Sequence, residues 1–161
     1  MNTSFKAISS GVASATVLAL AGFVGSVEAN EVSIPGSACT ATGTKTPKLQ
    51  VAENGAVYNK DTASLKVTCP LAAQPGYNTY VYLNYVKRNT QNMQCVFHRR
   101  SFDGLSGATN SQSTTFNGSN YLFFGTYTSD YFNSVTCTLP AATGTSTSTQ
   151  NGIIGTYLFQ F

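Results

Sequence analysis

The sequence predicts an all-β protein: a single antiparallel β-sandwich of about eight short strands, immunoglobulin-sized and stapled by two disulfides. Three observations carry that expectation. Apolar and polar residues alternate with period two along several stretches. Turn dipeptides such as Asn54-Gly55 and Asn117-Gly118 punctuate those stretches. Four Cys occur in a chain that opens with an export signal.

The signal comes first along the chain. Lys6 supplies a positive start, residues 7–27 carry no charge, and Val27-Glu28-Ala29 puts small residues at the −3 and −1 positions of a cleavage site. A retained membrane anchor is the competing reading, since the run is about long enough to span. Its Ser, Thr and Gly content makes it a poor spanning helix. The expectation is a signal peptide over 1–29, removed on export, and one domain over 30–161 that is secreted or periplasmic. In an oxidising compartment an even Cys count reads as disulfides rather than free buried thiols.

Strands follow in order. Short ones are expected around Leu49–Val51 and Ala56–Tyr58. Ala63, Leu65, Val67 and Cys69 alternate with Ser64, Lys66 and Thr68, and Pro70, which has no N–H to donate, ends that strand. Residues 77–87 form the longest run, with Thr79, Val81, Leu83 and Tyr85 on one face and Tyr80, Tyr82 and Asn84 on the other. In residues 93–100, Met93, Cys95 and Phe97 oppose Val96, His98 and Arg100. Further strands are expected over 121–128, 131–139 and 153–161. Residues 103–120 and 141–152, rich in Gly, Ser, Thr and Asn, read as loops. No Trp lies between the Cys, so the immunoglobulin pattern proper is excluded.

Composition narrows the function. From residue 30 onward there are 20 Thr, 12 Ser and 12 Asn against eight basic and five acidic residues, so hydroxyls and amides solvate the surface. A net charge of +3 is no footprint for nucleic acid. One His and no Cys-x-x-Cys pair rule out a multi-histidine metal site, a zinc ribbon and a thioredoxin-like site. No cofactor is implied.

Pro35-Gly36-Ser37-Ala38-Cys39, Gly55-Ala56-Val57-Tyr58-Asn59, Val67-Thr68-Cys69-Pro70-Leu71 and Cys137-Thr138-Leu139-Pro140 together resemble a group of small exported bacterial disulfide-containing β-proteins of unassigned function. The resemblance implies a bacterial envelope or extracellular setting and nothing catalytic.

The catalytic inventory is thin. His98, Ser101 and Asp103 invite a triad, but three residues within six positions share a strand and its exit, whereas the imidazole must meet Ser on one side and a carboxylate on the other. Glycoside hydrolysis needs only paired carboxylates, and Asp103 with Asp130 is the one pair that could meet at an end of the sandwich. Glu31 is expected at a frayed terminus. No Asp-x-Asp-x-Asp series supports Ca²⁺. Asn117-Gly118-Ser119 matches a glycosylation sequon but reads as a turn in a bacterial setting. The ending Tyr157-Leu158-Phe159-Gln160-Phe161 resembles the last strand of an outer-membrane barrel, against which stand Cys inside strands and the polar Ser134, Thr136 and Thr138.

Two specific expectations result. Of three possible connectivities, Cys95–Cys137 with Cys39–Cys69 is favoured, the first pair pointing inward from strands of opposite sheets. The linker 88–92 is short enough for a hairpin that sets Lys87 opposite Met93, Tyr85 opposite Cys95 and Leu83 opposite Phe97. The other face then gathers Tyr80, Tyr82, Asn84, His98 and Arg100, a mixture of π-faces and donors suited to sugars or to another subunit. The function expected is a non-catalytic exported module contacting a cell-envelope or matrix polysaccharide, a surface, or copies of itself. A small hydrolase using loop carboxylates and an outer-membrane barrel are the alternatives.

Overall fold

A computed structural model describes residues 30–42, 49–73, 76–100, 107–128, 132–144, 146 and 149–161. The expected signal peptide, Ser101, Asp103 and Asp130 lie outside the described residues. Among the described residues eleven strands form: β1 Asn30–Pro35, β2 Thr40–Thr42, β3 Leu49–Val51, β4 Val57–Asn59, β5 Leu65–Pro70, β6 Asn78–Lys87, β7 Gln94–Arg100, β8 Gly107–Ser113, β9 Gly118–Thr128, β10 Phe132–Leu139 and β11 Gly152–Gln160. A 3-10 turn, Gly36–Ala38, follows β1. Every ladder is antiparallel.

Two sheets pack face to face. Sheet A runs β3-β4-β11-β6-β9, with β1 also paired to β11, and sheet B runs β2-β5-β10-β7-β8. These open sheets replace the closed barrel. Val81, Leu83, Tyr85, Leu122, Phe124, Ile153 and Leu158 of sheet A meet Val67, Cys69, Cys95, Phe97, Val135, Cys137 and Leu139 of sheet B in one buried core. The alternation read from the sequence is the alternation that packs, because one face of each strand must leave water.

Three strands exceed the eight expected, and two of them sit in segments read otherwise. β8, Gly-Ala-Thr-Asn-Ser-Gln-Ser, lies in the supposed loop 103–120; as an edge strand it needs only the β7 backbone, paired from Arg100↔Gly107 to Gln94↔Ser113. β1 is not frayed: Glu31 pairs with Phe159, and Val32 packs on the core. β2 completes the far edge of sheet B against β5.

The expected hairpin does not form. β6 and β7 lie in opposite sheets, so Leu83 and Phe97 belong to facing layers of the core instead of one ladder. The linker crosses between sheets and is held by Asn151, 4% exposed. Its Oδ1 accepts from the N–H groups of Arg88 (2.8 Å) and Asn89 (3.3 Å), and its Nδ2 donates to Asn89 Oδ1 (2.9 Å) and Gln91 O (2.6 Å). Met93 N–H then donates to Thr114 Oγ1 at 2.8 Å.

Both expected disulfides are present, Cys39–Cys69 and Cys95–Cys137. Their setting differs for the second pair. Cys95 and Cys137 are directly opposed on neighbouring strands of sheet B, with Cα atoms 4.0 Å apart, and do not join two sheets.

Two bulges shape sheet A. In β9 the register passes from Phe123↔Tyr82 to Thr126↔Tyr80, so one extra residue is absorbed near Gly125, whose φ is +104°. The phase of the strand shifts there. Phe124 and Tyr127 therefore both reach inward, where Phe97 contacts each of them with ring centroids 6.0 and 4.4 Å away. In β11 the extra residue falls between Ile153 and Gly155.

Candidate functional site: the aromatic face of sheet A

The outward positions of sheet A assemble in rows across four strands. Pairing registers place Pro35, Gly155, Asn84 and Tyr121 in one row, then Ser33, Tyr157, Tyr82 and Phe123, then Glu31, Phe159, Tyr80 and Thr126. Beyond the last row Phe161 continues the ladder, exchanging backbone hydrogen bonds with Asn78 (3.0 and 3.2 Å). Seven rings thus share one face.

The rings form a connected strip. Tyr82 lies 5.0 Å from Phe123, 5.5 Å from Tyr121 and 6.0 Å from Tyr157, centroid to centroid. Tyr80 lies 4.9 Å from Phe161, 6.0 Å from Phe123 and 6.1 Å from Phe159. Much of this surface stays in water: Tyr121 is 57% exposed and Phe123 42%. A contiguous exposed apolar strip of this kind marks an interaction surface.

The strip has a depression. Tyr82, Asn84, Tyr121, Tyr157 and Phe159 line an open groove of about 330 Å³. Across the ladder from Asn84 stands Gly155, where a Cβ would run into the Ile34 carbonyl of β1. The missing side chain is what lets β1 approach so closely.

Polar chemistry on the face is sparse. The ring-bearing rows contain no Lys, Arg or His. Glu31 accepts a hydrogen bond from the Tyr157 hydroxyl, and that bond, with desolvation and the carboxylate's charge, holds the Tyr157 phenol above its ordinary value. Asn84, half-buried at the groove, offers both donor and acceptor.

The residues expected to share a face are divided. Tyr80, Tyr82 and Asn84 stand on this strip, whereas His98 and Arg100 stand on the outer face of sheet B, beside a separate groove of about 380 Å³. The cause is the misread hairpin. Tyr121, Phe123, Tyr157, Phe159 and Phe161 were not assigned to the face, although aromatic residues at alternate positions signalled them. No cluster of three or more His, Cys, Asp or Glu able to hold a metal occurs among the described residues. Of the acids described, Glu53 is exposed in a turn and the backbone of Asp61 is tied to Asn59 and Ala142.

Comparison with known proteins gives fold and little else. No protein-family model matches the chain. No curated protein matches it either. Among solved structures, the C-terminal CBM6 of a marine laminarinase from Zobellia galactanivorans shares 8% identity at a TM-score of 0.50, covering 80% of this chain and 98% of that one. A Podospora anserina GH26-CBM35 β-(1,4)-mannanase (13% identity, TM-score 0.51, 81% of this chain) and the CBM22-1-GH10 modules of a Clostridium thermocellum xylanase complexed with xylohexaose (10%, 0.51, 83%) are also similar. The chain spans 28% of the length of each of these two. The likeness is one of β-sandwich fold.

Proposed function

We propose that the chain is a non-catalytic module that binds a neutral polysaccharide on the aromatic face of sheet A. The connected strip of seven rings, open to solvent and grooved beside Asn84, carries the reading. Pyranose rings present C–H faces that pack on aromatic faces, and Asn84 can hydrogen-bond the hydroxyls at their edges. With no cation among the rings and Glu31 at the margin, an acidic polymer finds no partner there. The fold shared with the CBM6 module of a laminarinase supports the same class. Export through residues 1–29 and an oxidising compartment that keeps both disulfides belong to this proposal.

Magnitudes set the mode of binding. At about 0.5–1.5 kcal/mol per aromatic contact beyond area burial, three sugar–ring contacts give a Kd of roughly millimolar order for one short chain. Useful retention therefore comes from a polymer offering many overlapping sites.

The test is Tyr80→Ser with Tyr82→Ser, applied in pull-downs on insoluble mannan, xylan, cellulose, chitin and β-1,3-glucan. The variant folds, since both side chains face outward, and loses retention on the polymer that holds the wild type. Wild type that binds none of the panel, or a folded variant that binds as well as wild type, overturns the proposal. Self-association through the same exposed rings is a second reading. It predicts a concentration-dependent dimer, abolished by the same variant, without retention on any polymer.

A further inference from the structure

We infer that the outer face of sheet B is a second, separate site, built for an oxyanion-bearing sugar unit. The two outer faces of the sandwich differ in kind. On sheet B the rows read Thr68, Thr136, Val96 and Ser111, then Pro70, Ser134, His98 and Thr109, then Arg100 beside Gly107. No carboxylate occupies these positions, and no aromatic ring stands on the first two rows. The groove of about 380 Å³ is lined by Thr68, His98, Arg100, Asn133, Ser134 and Thr136.

The donors converge. Arg100 contributes a permanent charge and a planar fork that matches carboxylate or sulfate oxygens in pairs. It is exposed, and its β8 neighbour is Gly107, so no side chain on that strand crowds the guanidinium. His98, one row along on the same face, adds a ring N–H in any protonation state. Thr68 Oγ1 and Thr136 Oγ1 lie 3.0 Å apart, so one hydroxyl hydrogen is spent between them and the other is left for a ligand.

Together these groups can hold one negative group and the hydroxyls beside it. The ligand class is a glycan carrying carboxylate or sulfate, and the site does not depend on the aromatic face. Attraction through a surface guanidinium is screened by salt, so binding here weakens with ionic strength, whereas packing on the rings of sheet A does not.

The experiment uses the disulfide-bonded full chain in affinity electrophoresis against polygalacturonate, dextran sulfate and neutral dextran. Wild type is retarded by at least one of the two anionic polymers and not by neutral dextran; which of the two distinguishes carboxylate from sulfate. His98→Gln with Arg100→Gln weakens that retardation at least ten-fold with the circular dichroism spectrum unchanged. Lys60→Gln, which removes an exposed charge elsewhere, leaves it within two-fold. Tyr80→Ser with Tyr82→Ser also leaves it intact, which keeps this site's failure distinct from that of the aromatic face. The inference is overturned if neither anionic polymer retards wild type or if the His98/Arg100 variant binds as before. It is equally overturned if Lys60→Gln costs as much, or if duplex DNA is bound as tightly as either glycan.

Discussion

Tyr82 and Tyr157 face each other across the β6–β11 ladder with ring centroids 6.0 Å apart, and the next outward pair along the same ladder is Asn84 with Gly155. Two rings are thus set beside a pair with one short side chain and one absent. Tyr157→Ala is expected to weaken binding to the neutral polymer about five- to ten-fold, the loss of one ring contact of about 1–1.5 kcal/mol. Stability should fall by less than about 1 kcal/mol, the scale of a cross-strand pair. Tyr157→Phe keeps the ring and should bind within about two-fold. Retention on the polymer together with urea denaturation checks both parts.

Glu31 sets the ionisation of Tyr157. The folded phenol titrates above its ordinary value, so the stabilising contribution is complete below about pH 10 and is lost as pH rises through the folded value. Glu31→Ala removes the hydrogen bond and the charge together. Ultraviolet difference titration should then show one tyrosine ionising earlier than in wild type, with a shallower loss of stability in alkali. Coincident titration curves would exclude the Glu31–Tyr157 contact.

Gly155→Ala should detach β1. The added Cβ meets the Ile34 carbonyl, and a clash with backbone is relieved by moving a strand, at about 1–3 kcal/mol. Hydrogen exchange should report it at Val32 and Ile34, while Val81 and Leu83 in β6 keep their protection. Unchanged exchange in β1 would count against the close approach.

The two disulfides should rank. Their sequence separations, 42 for Cys95–Cys137 and 30 for Cys39–Cys69, give nearly equal entropic contributions of about 4 kcal/mol. Packing separates them, because Cys95 and Cys137 are fully buried in the middle of sheet B while Cys39 retains some exposure at a margin. Cys95→Ala with Cys137→Ala should therefore cost more than Cys39→Ala with Cys69→Ala, by a cavity cost of about 1 kcal/mol. Urea midpoints of the two double variants measure the difference.

Period two told inward from outward along β5, β6, β7 and β10, and this is why Val67, Leu83, Phe97 and Val135 were legible as core. It did not tell which strand lies beside which. An inward set on 77–87 and another on 93–100 pack equally well as neighbours in one sheet or as opposed layers. What decides is the linker, and residues 88–92 contain no Gly for a tight hairpin but do contain Asn89 and Gln91, which Asn151 binds from about sixty residues away. A contact so distant leaves no local pattern. The same ambiguity split the proposed face: Tyr80 and Tyr82 were chosen correctly as outward, but their neighbours turned out to be the rings of β9 and β11, not His98 and Arg100. The bulge at Gly125 hid part of β9 as well, since inward Phe124 and Tyr127 are out of strict alternation. β8 was hidden by composition, because a polar edge strand and a polar loop read alike.

β11 touches β1, β4 and β6, and so supplies the only ladder partner that β1 has among the described residues. During synthesis these residues leave the ribosome after everything they hold together. Until they arrive, the aromatic face holds only the four rings of β6 and β9, and the inward side of β6 lacks Ile153 and Leu158 beside it. Sheet A can then close only in one late step that joins residues about 130 positions apart, the kind of non-local pairing that slows folding to milliseconds or longer. A chain whose sheet cannot close early keeps its β1 strand without a ladder partner until β11 has been made.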